Sequence, residues 1–520
     1  MVFFRAYTSP QYIGLMVILS LCWCNTAVAQ QLIQPGALGY YREALQFSQT
    51  FSTGSARIQG LGGAQNALGA DLSALALNPA GIGMLNTSEF SIGATQMLNT
   101  SNANYLGSNV TDSRLGFNVT NLGVAFSFLK GNAKPNVWRG VNVAIGLNQV
   151  ANYRDVQSFE GINTENYRLD AFVEAADGIP ATALDAEFGQ IESIQALTYF
   201  AFLINPIEGD PDNRYFPPVT DQPARQTGSI ITKGSNNNIS LAISGNYANR
   251  FYFGIGLGVN TLRSTRTETF TETILYAPGE RRELETYTME EILETRGTGF
   301  SSSLGVIVRP LDYFRIGASV QFPTFYFLTE RYETSVIARY DISDFGDGIV
   351  RPVEEFQTLP ASFNYRLQTP LKASGGAVVM LGKLGFLSAD IDYIDYTTMR
   401  LSSAEFPLVF EDDNLTIQSL YKPVFNYRIG AEVRLSWWRL RGGYAIYGDP
   451  FNAIDDIDRS VRLITAGVGQ RLPNFYWDLS AMYNTRQTGY SPYVLSDATQ
   501  PFADIRTQQF RIGFTYGVYF

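Results

Sequence analysis

The chain has 520 residues, with 38 basic and 48 acidic side chains and a net charge of −10. It contains no histidine, and its two cysteines, Cys22 and Cys24, both sit near the start. Imidazole catalysis, Cys/His zinc sites and, beyond that start, disulfides are excluded, and the acidic balance argues against nucleic acid.

Arg5 is the only charged side chain in the first 29 residues. An apolar run from Tyr12 to Leu21 follows, then Ala27-Val28-Ala29. Charged start, short apolar stretch and small-residue site predict a secretory signal peptide over 1–29, with the mature chain starting at Gln30. Lipidation at Cys22 or Cys24 is the alternative, disfavoured by the bulky Leu21 and Trp23 before them. No later stretch is long and apolar enough for a spanning helix.

Residues 30–88 come next, with the run GSARIQGLGGAQNALGADLSALALNPAGIG from Gly54 to Gly83. Gly60 and Gly62 fit a dinucleotide fingerprint, but Gln65 stands at its third glycine and no strand precedes it. Small residues and the Asn78-Pro79 turn instead predict compact backbone able to pack inside a crowded lumen.

From residue 89 on, apolar residues alternate with small or polar ones in segment after segment. They fall at 90–94, 122–128, 141–147, 239–247, 251–259, 300–308, 314–322, 371–381, 387–393, 427–435, 440–446, 461–470, 475–483 and 510–520. The segment at 461–470 alternates poorly. In the last, Phe510, Ile512, Phe514, Tyr516, Val518 and Phe520 share one face, opposite Arg511, Gly513, Thr515 and Gly517. Greasy outside and small or charged inside is the pattern of a transmembrane barrel strand. Connections after even-numbered segments are short, as at Asn249-Arg250 and Trp437-Trp438, and those after odd ones are mostly long and polar. The prediction is an all-β, 14-stranded antiparallel transmembrane β-barrel over 89–520, with both termini in the periplasm.

The Gly54–Gly83 run, with Asp71 and then Asn78, Pro79, Ala80 and Gly81, resembles the amino-terminal hatch of the FadL/TodX family of outer-membrane transporters. The resemblance continues through 369–396, 427–447 (with RLRGGYAIY) and 463–483. It implies a 14-stranded barrel plugged by residues 30–88, ligand captured outside and passed to an opening in the wall, and no cofactor or catalytic residue. It also implies the outer membrane of a Gram-negative bacterium, with membrane lipid around the barrel and a hydrophobic ligand or detergent in the lumen.

Two groups of residues are candidates for a site. The long connection 152–238, expected outside the cell, contains Leu197, Tyr199, Phe200, Phe202 and Leu203. They either order the loop by packing or form a capture surface for ligand. Asp390, Asp392, Arg428, Glu432, Arg434, Arg439 and Arg441 should point into the lumen, as a bonded wall holding the hatch or as a ligand site. Asp392 and Arg428 should lie at similar height. The expected function is passive uptake of small hydrophobic molecules, such as long-chain fatty acids or aromatic hydrocarbons. The alternative is a barrel that docks an envelope protein partner in protein secretion.

Overall fold

The computed structural model describes residues 39–51, 54–129, 137–278, 283–341, 352–453 and 455–520. The signal peptide, its cysteines and the start at Gln30 lie outside the described residues.

Fourteen antiparallel strands form a closed barrel. They are β1 (Glu89–Tyr105), β2 (Ser108–Ser127), β3 (Trp138–Asn152, continued by Asp155–Asn163), β4 (Ala224–Tyr247), β5 (Phe251–Ile274), β6 (Leu284–Leu311) and β7 (Phe314–Gln321, continued by Phe325–Tyr340). Next come β8 (Ala361–Gln368, continued by Lys372–Met380), β9 (Gly385–Asp395, continued by Arg400–Ser402), β10 (Pro423–Leu435), β11 (Trp438–Tyr447), β12 (Val461–Arg471), β13 (Phe475–Tyr490) and β14 (Ala503–Tyr519). Closure is by β14 on β1, with Glu89 opposite Tyr519 and Tyr105 opposite Ala503. Each alternating segment of the sequence lies in one strand.

The strands are much longer than their greasy portions. Phe251, Phe253, Ile255, Leu257 and Val259 of β5 are exposed outward, and above them the same face carries Thr261 and Arg263. A tilted strand needs about 9–11 residues to cross the hydrocarbon layer, and β5 has 24. The barrel wall therefore continues well above the membrane, where a solvated face no longer has to be apolar. This corrects two expectations. The connection expected over 152–238 is strand at both ends, leaving 164–223 as loop. The long connection expected after the first strand is only Leu106-Gly107, both at positive φ (49° and 80°) in a tight hairpin.

β12 alternates poorly because Val461 and Leu463 turn inward, into an apolar cluster with Ala445, Tyr447, Met482 and Phe51. Its outward face carries Arg462 and Ile464 instead. The helices are short: α1 (Tyr40–Ser48), α2 (Ala56–Gln59) and α3 (Ala74–Leu77) before the barrel, α4 (Arg168–Ala176), α5 (Ala181–Asp185) and α6 (Ile194–Phe200) in the long loop, and α7 (Glu411–Leu420) before β10. Among the described residues no helix is long and apolar enough to cross a membrane.

Candidate functional site

Residues 54–85 thread through the lumen. A β-carbon on Gly254 would lie 2.4 Å from the carbonyl carbon of Pro79, and one on Gly443 2.3 Å from the amide of Gly62. Wall and hatch touch backbone to backbone, which explains the glycine at both positions. Asn78 is the knot. Its Nδ2 donates to the carbonyl (2.7 Å) and Oδ1 (3.0 Å) of Asn66, and its Oδ1 accepts from the amide of Ala80 (3.1 Å). Pro79 opens a 3-10 turn, Pro79–Met84. Ala80 packs on Tyr252 and Ile307 of the wall, and the carbonyl of Gly81 accepts from the amide of Ala70 (2.9 Å). Asn78→Ala would leave buried groups unsatisfied, at a cost of about 1–3 kcal/mol. The expected result is faster hydrogen exchange at the amides of Ala70 and Gly81 with barrel amides unchanged; equal exchange throughout would contradict it.

The lumen charges divide into two networks beside the hatch. Asp390 Oδ2 accepts from the amides of Gln65 and Asn66, both at 2.8 Å, and so fixes the hatch to β9. Arg428 stands directly opposite Asp390 across the ladder, yet its guanidinium bonds Asp392 twice, at 2.7 and 2.6 Å. Lys372 also reaches Asp392, at 3.1 Å. In the second network Glu432 accepts from Arg434 (3.0 Å) and Arg441 (2.8 Å), and Arg441 continues to Asp478 (2.6 Å), which Arg471 also holds. Arg439 does not join: it donates to the carbonyls of Ser436 and Trp438 in the turn.

Above the hatch lies a cavity of about 320 Å³. Its lining includes Leu45 and Arg42 of α1, Phe51, and the inward side chains Arg266, Arg459, Arg486 and Arg511. Three of these arginines are paired, with Glu268, Asp455 and Asp155 respectively. Arg511 has no carboxylate within salt-bridge distance among the described residues; its Nε donates to Gln509. The cavity also reaches a break in the wall. The β2–β3 ladder runs only from Ser127/Asn142 to Asn121/Asn148. Above it β3 turns inward at Tyr153-Arg154, and its continuation packs inside the β1–β2 hairpin, where Phe159 meets Tyr105 at 4.8 Å. Asn118 and Thr120 on one side and Gln149 to Asp155 on the other line the cavity at this seam. Leu115, Phe117 and Val119 face outward on the free edge of β2. The seam therefore lies at the level of lipid.

The long loop folds on itself. Leu197 and Leu203 are fully buried in a core with Leu169, Phe172, Ile204 and the wall residues Tyr287, Val336 and Tyr340. They shape the loop and offer no surface to a ligand. Glu187 fastens the start of α6, accepting from the amides of Glu192 (2.8 Å) and Ser193 (2.9 Å) and from the Ser193 hydroxyl. Partial burial pushes this carboxyl up, but the three donors outweigh it and hold it below the usual carboxylate range. Tyr199, Phe200 and Phe202 are half-buried at the edge of the core. Phe200 begins a series of rings that the loop sequence alone does not reveal. Phe188, 76% exposed, lies 5.5 Å from it and Phe356 6.0 Å. The amide of Leu359 then bonds Ile191 (2.6 Å), and beyond it Phe363 lies 6.1 Å from exposed Phe406 and 6.2 Å from Tyr40 of α1. Leu408 and Leu415 extend the same exposed surface. Two groups of rings thus mark an apolar track on the outer side, one around Phe200 and one that carries Phe406 and Phe363 to Tyr40 of α1.

No protein-family model and no curated sequence matches the chain. Among solved structures, a FadL homologue from Pseudomonas aeruginosa is 13% identical, covers 90% of this chain and 99% of its own, and superposes with a TM-score of 0.54. The chain has the FadL fold. The toluene transporter TodX of Pseudomonas putida (13% identity, 90% and 99% covered, TM-score 0.49) and the toluene transporter TbuX of Ralstonia pickettii (12%, 90% and 99%, 0.46) are also similar. Within the FadL fold the hatch had its signal in the run Gly54–Gly83, whereas the seam and the grouping of the outer aromatic rings follow from spatial neighbours far apart in sequence. Arg511 also carried a local signal: it is the one charge on the small-residue face of the last strand.

Proposed function

We propose that the protein is a passive outer-membrane channel for hydrophobic molecules that carry an anionic head. The observation that supports this reading is the arginine-lined cavity, with Arg511 unmatched by a carboxylate, opening at lipid level through the β2–β3 seam. Ligand collects on the track from Phe188 to Phe406 and passes Tyr40. It rests with its head near Arg511 and leaves sideways into the membrane, past Asn118 and Gln149. Each site must bind modestly, because a tight site would not release. The hatch contacts favour this over a docking barrel, for which an unplugged lumen would be expected.

Uptake of a long-chain fatty acid and of toluene tests it. Burying a Phe side chain contributes about 1.5–3 kcal/mol, so Phe200→Ser with Phe406→Ser should slow uptake of both at low concentration roughly tenfold. A hydrogen bond to a charged group contributes about 1.5–3 kcal/mol. Arg511→Gln should therefore slow the fatty acid roughly tenfold and leave toluene unchanged. Equal losses would remove the anionic head from the reading, and an unmutated protein that moves neither compound would remove uptake altogether.

A further inference from the structure

Met97 stands where the arginine-lined cavity meets the seam. On β1 it lies directly opposite Arg511 of β14 on one side and Gly116 of β2 on the other, and all three face inward. Its inward neighbours along β1 are Gly93, Thr95, Asn99 and Ser101, so it is the one long apolar side chain of that stretch. Its sulfur meets two amides. Nε2 of Gln509 donates to Sδ at 3.0 Å, and Nδ2 of Asn152 donates to it at 3.9 Å. Gln509 also accepts from Nε of Arg511, while Asn152 ends the lower part of β3 on the far bank of the seam. Met97 therefore reaches from the arginine across the inner face of β2 to that bank.

Gly116 makes this reach possible. It lies on the part of β2 that has lost its ladder to β3, and without a side chain it leaves a flat floor. A β-carbon there would lie 3.4 Å from Cε of Met97 and 3.6 Å from Cδ of Arg154. The ends of two side chains, one from each bank, thus meet over the free edge of β2. Arg154 is held there by Asn99, whose Nδ2 donates to its carbonyl at 2.6 Å. Asn118, two residues below Gly116, lines the cavity at the exit. The contacts made by Met97 are easily exchanged. A thioether is a weak acceptor, and a methionine side chain turns about three bonds.

We propose that Met97 is the latch of the lateral exit. It lies across the seam at rest and swings aside as a ligand leaves, so its displacement sets the rate of release. This rests on the channel reading above and adds what regulates the exit. Arg511 distinguishes ligands by their head. The latch does not: it stands in the way of any hydrophobic molecule that passes the seam.

The test is uptake of a long-chain fatty acid and of toluene by cells over a range of concentrations. Heat-modifiable migration on a gel reports the folded barrel of each variant. Release past the latch governs the maximal rate, whereas capture and head binding govern the concentration at half that rate. The net contribution of one ordinary hydrogen bond corresponds to roughly a two- to tenfold change in a rate. Met97→Ala, which shortens the latch, should therefore raise the maximal rate for both compounds roughly fivefold. Met97→Phe, larger and stiffer, should lower it by a similar factor, and Met97→Leu, which keeps the bulk without the sulfur, should fall between Ala and the parent. The half-saturating concentration should stay unchanged in all three. Met97→Ala carries the test alone if the phenylalanine variant lacks the folded migration. Maximal rates equal to the parent's would overturn the latch. So would a change confined to the half-saturating concentration, which would make Met97 part of the resting site. Arg511→Gln separates the two levels. If it slows the fatty acid while the Met97 variants change nothing, the latch falls and the channel reading stands; if none of the four changes uptake, both fall.

Discussion

A barrel lacking residues 39–88 is expected to conduct ions as an open pore. A 14-stranded barrel is wider than the roughly 8 strands whose own side chains fill the interior, and approaches the 16–18 that leave a channel. Here the space is filled from outside the wall, by residues 54–85. The wall residues facing them are too small to close it alone: Gly254 meets Pro79 and Gly443 meets Gly62. Removing the segment also frees Asp390 from the amides of Gln65 and Asn66, but water then enters and solvates it, so the barrel should still fold. Single-channel recordings in planar bilayers should show conductance at least roughly tenfold above the intact protein, with heat-modifiable migration retained. Conductance equal to that of the intact protein, in a folded barrel, would show that residues 54–85 do not plug the lumen.

How much of this could be read from the chain depends on which environment leaves a local trace. Lipid does: each crossing needs an apolar outward face, and strands such as Phe251–Val259 announce themselves residue by residue. Water does not impose a comparable pattern, so the upper half of β5 and most of β6 continue as strand behind Thr, Glu and Arg. For the same reason the loop looked longer than it is. The inner wall was half-legible. Asp390, Asp392, Arg428 and Glu432 alternate correctly to point inward, but which partner each takes is a matter of packing: Asp392 and Glu432 meet other wall residues, and Asp390 meets the hatch, which approaches from hundreds of residues away. Asp390 shows this: it binds the amides of Gln65 and Asn66 and leaves its cross-strand neighbour Arg428 to Asp392. In the loop, Leu197 and Phe200 are three residues apart and equally apolar, yet one is core and the other surface. Only the fold of α4–α6 against β6 and β7 separates them. The seam had no local signal, since a missing ladder is a relation between two strands.

Breaking the Arg428 network should have the largest effect on stability. Arg428→Ala leaves Asp392 with Lys372 as its remaining cation and Asp390 with the hatch amides alone, all in a packed wall. Removing one member of a buried ion pair costs about 3–5 kcal/mol, read as a lower urea midpoint in lipid vesicles. Lys372 changes what a rescue can look like. A swap of Asp392→Arg with Arg428→Asp, which a simple pair would tolerate, places a guanidinium beside the Lys372 ammonium, now 3.1 Å from Asp392. It also places a carboxylate beside Asp390, which lies 3.8 Å from Arg428. The swap should therefore fail even though the two residues touch. The informative variant removes all four charges: Asp392→Leu, Arg428→Met, Lys372→Met and Asp390→Asn, whose side-chain oxygen can still accept from the amides of Gln65 and Asn66. Because apolar replacement of a buried charge network is often neutral, it should recover most of the loss and fall within about 1 kcal/mol of the parent. If Arg428→Ala alone costs less than about 1 kcal/mol, the site is wet, and the charges line a solvated lumen in place of a dry wall.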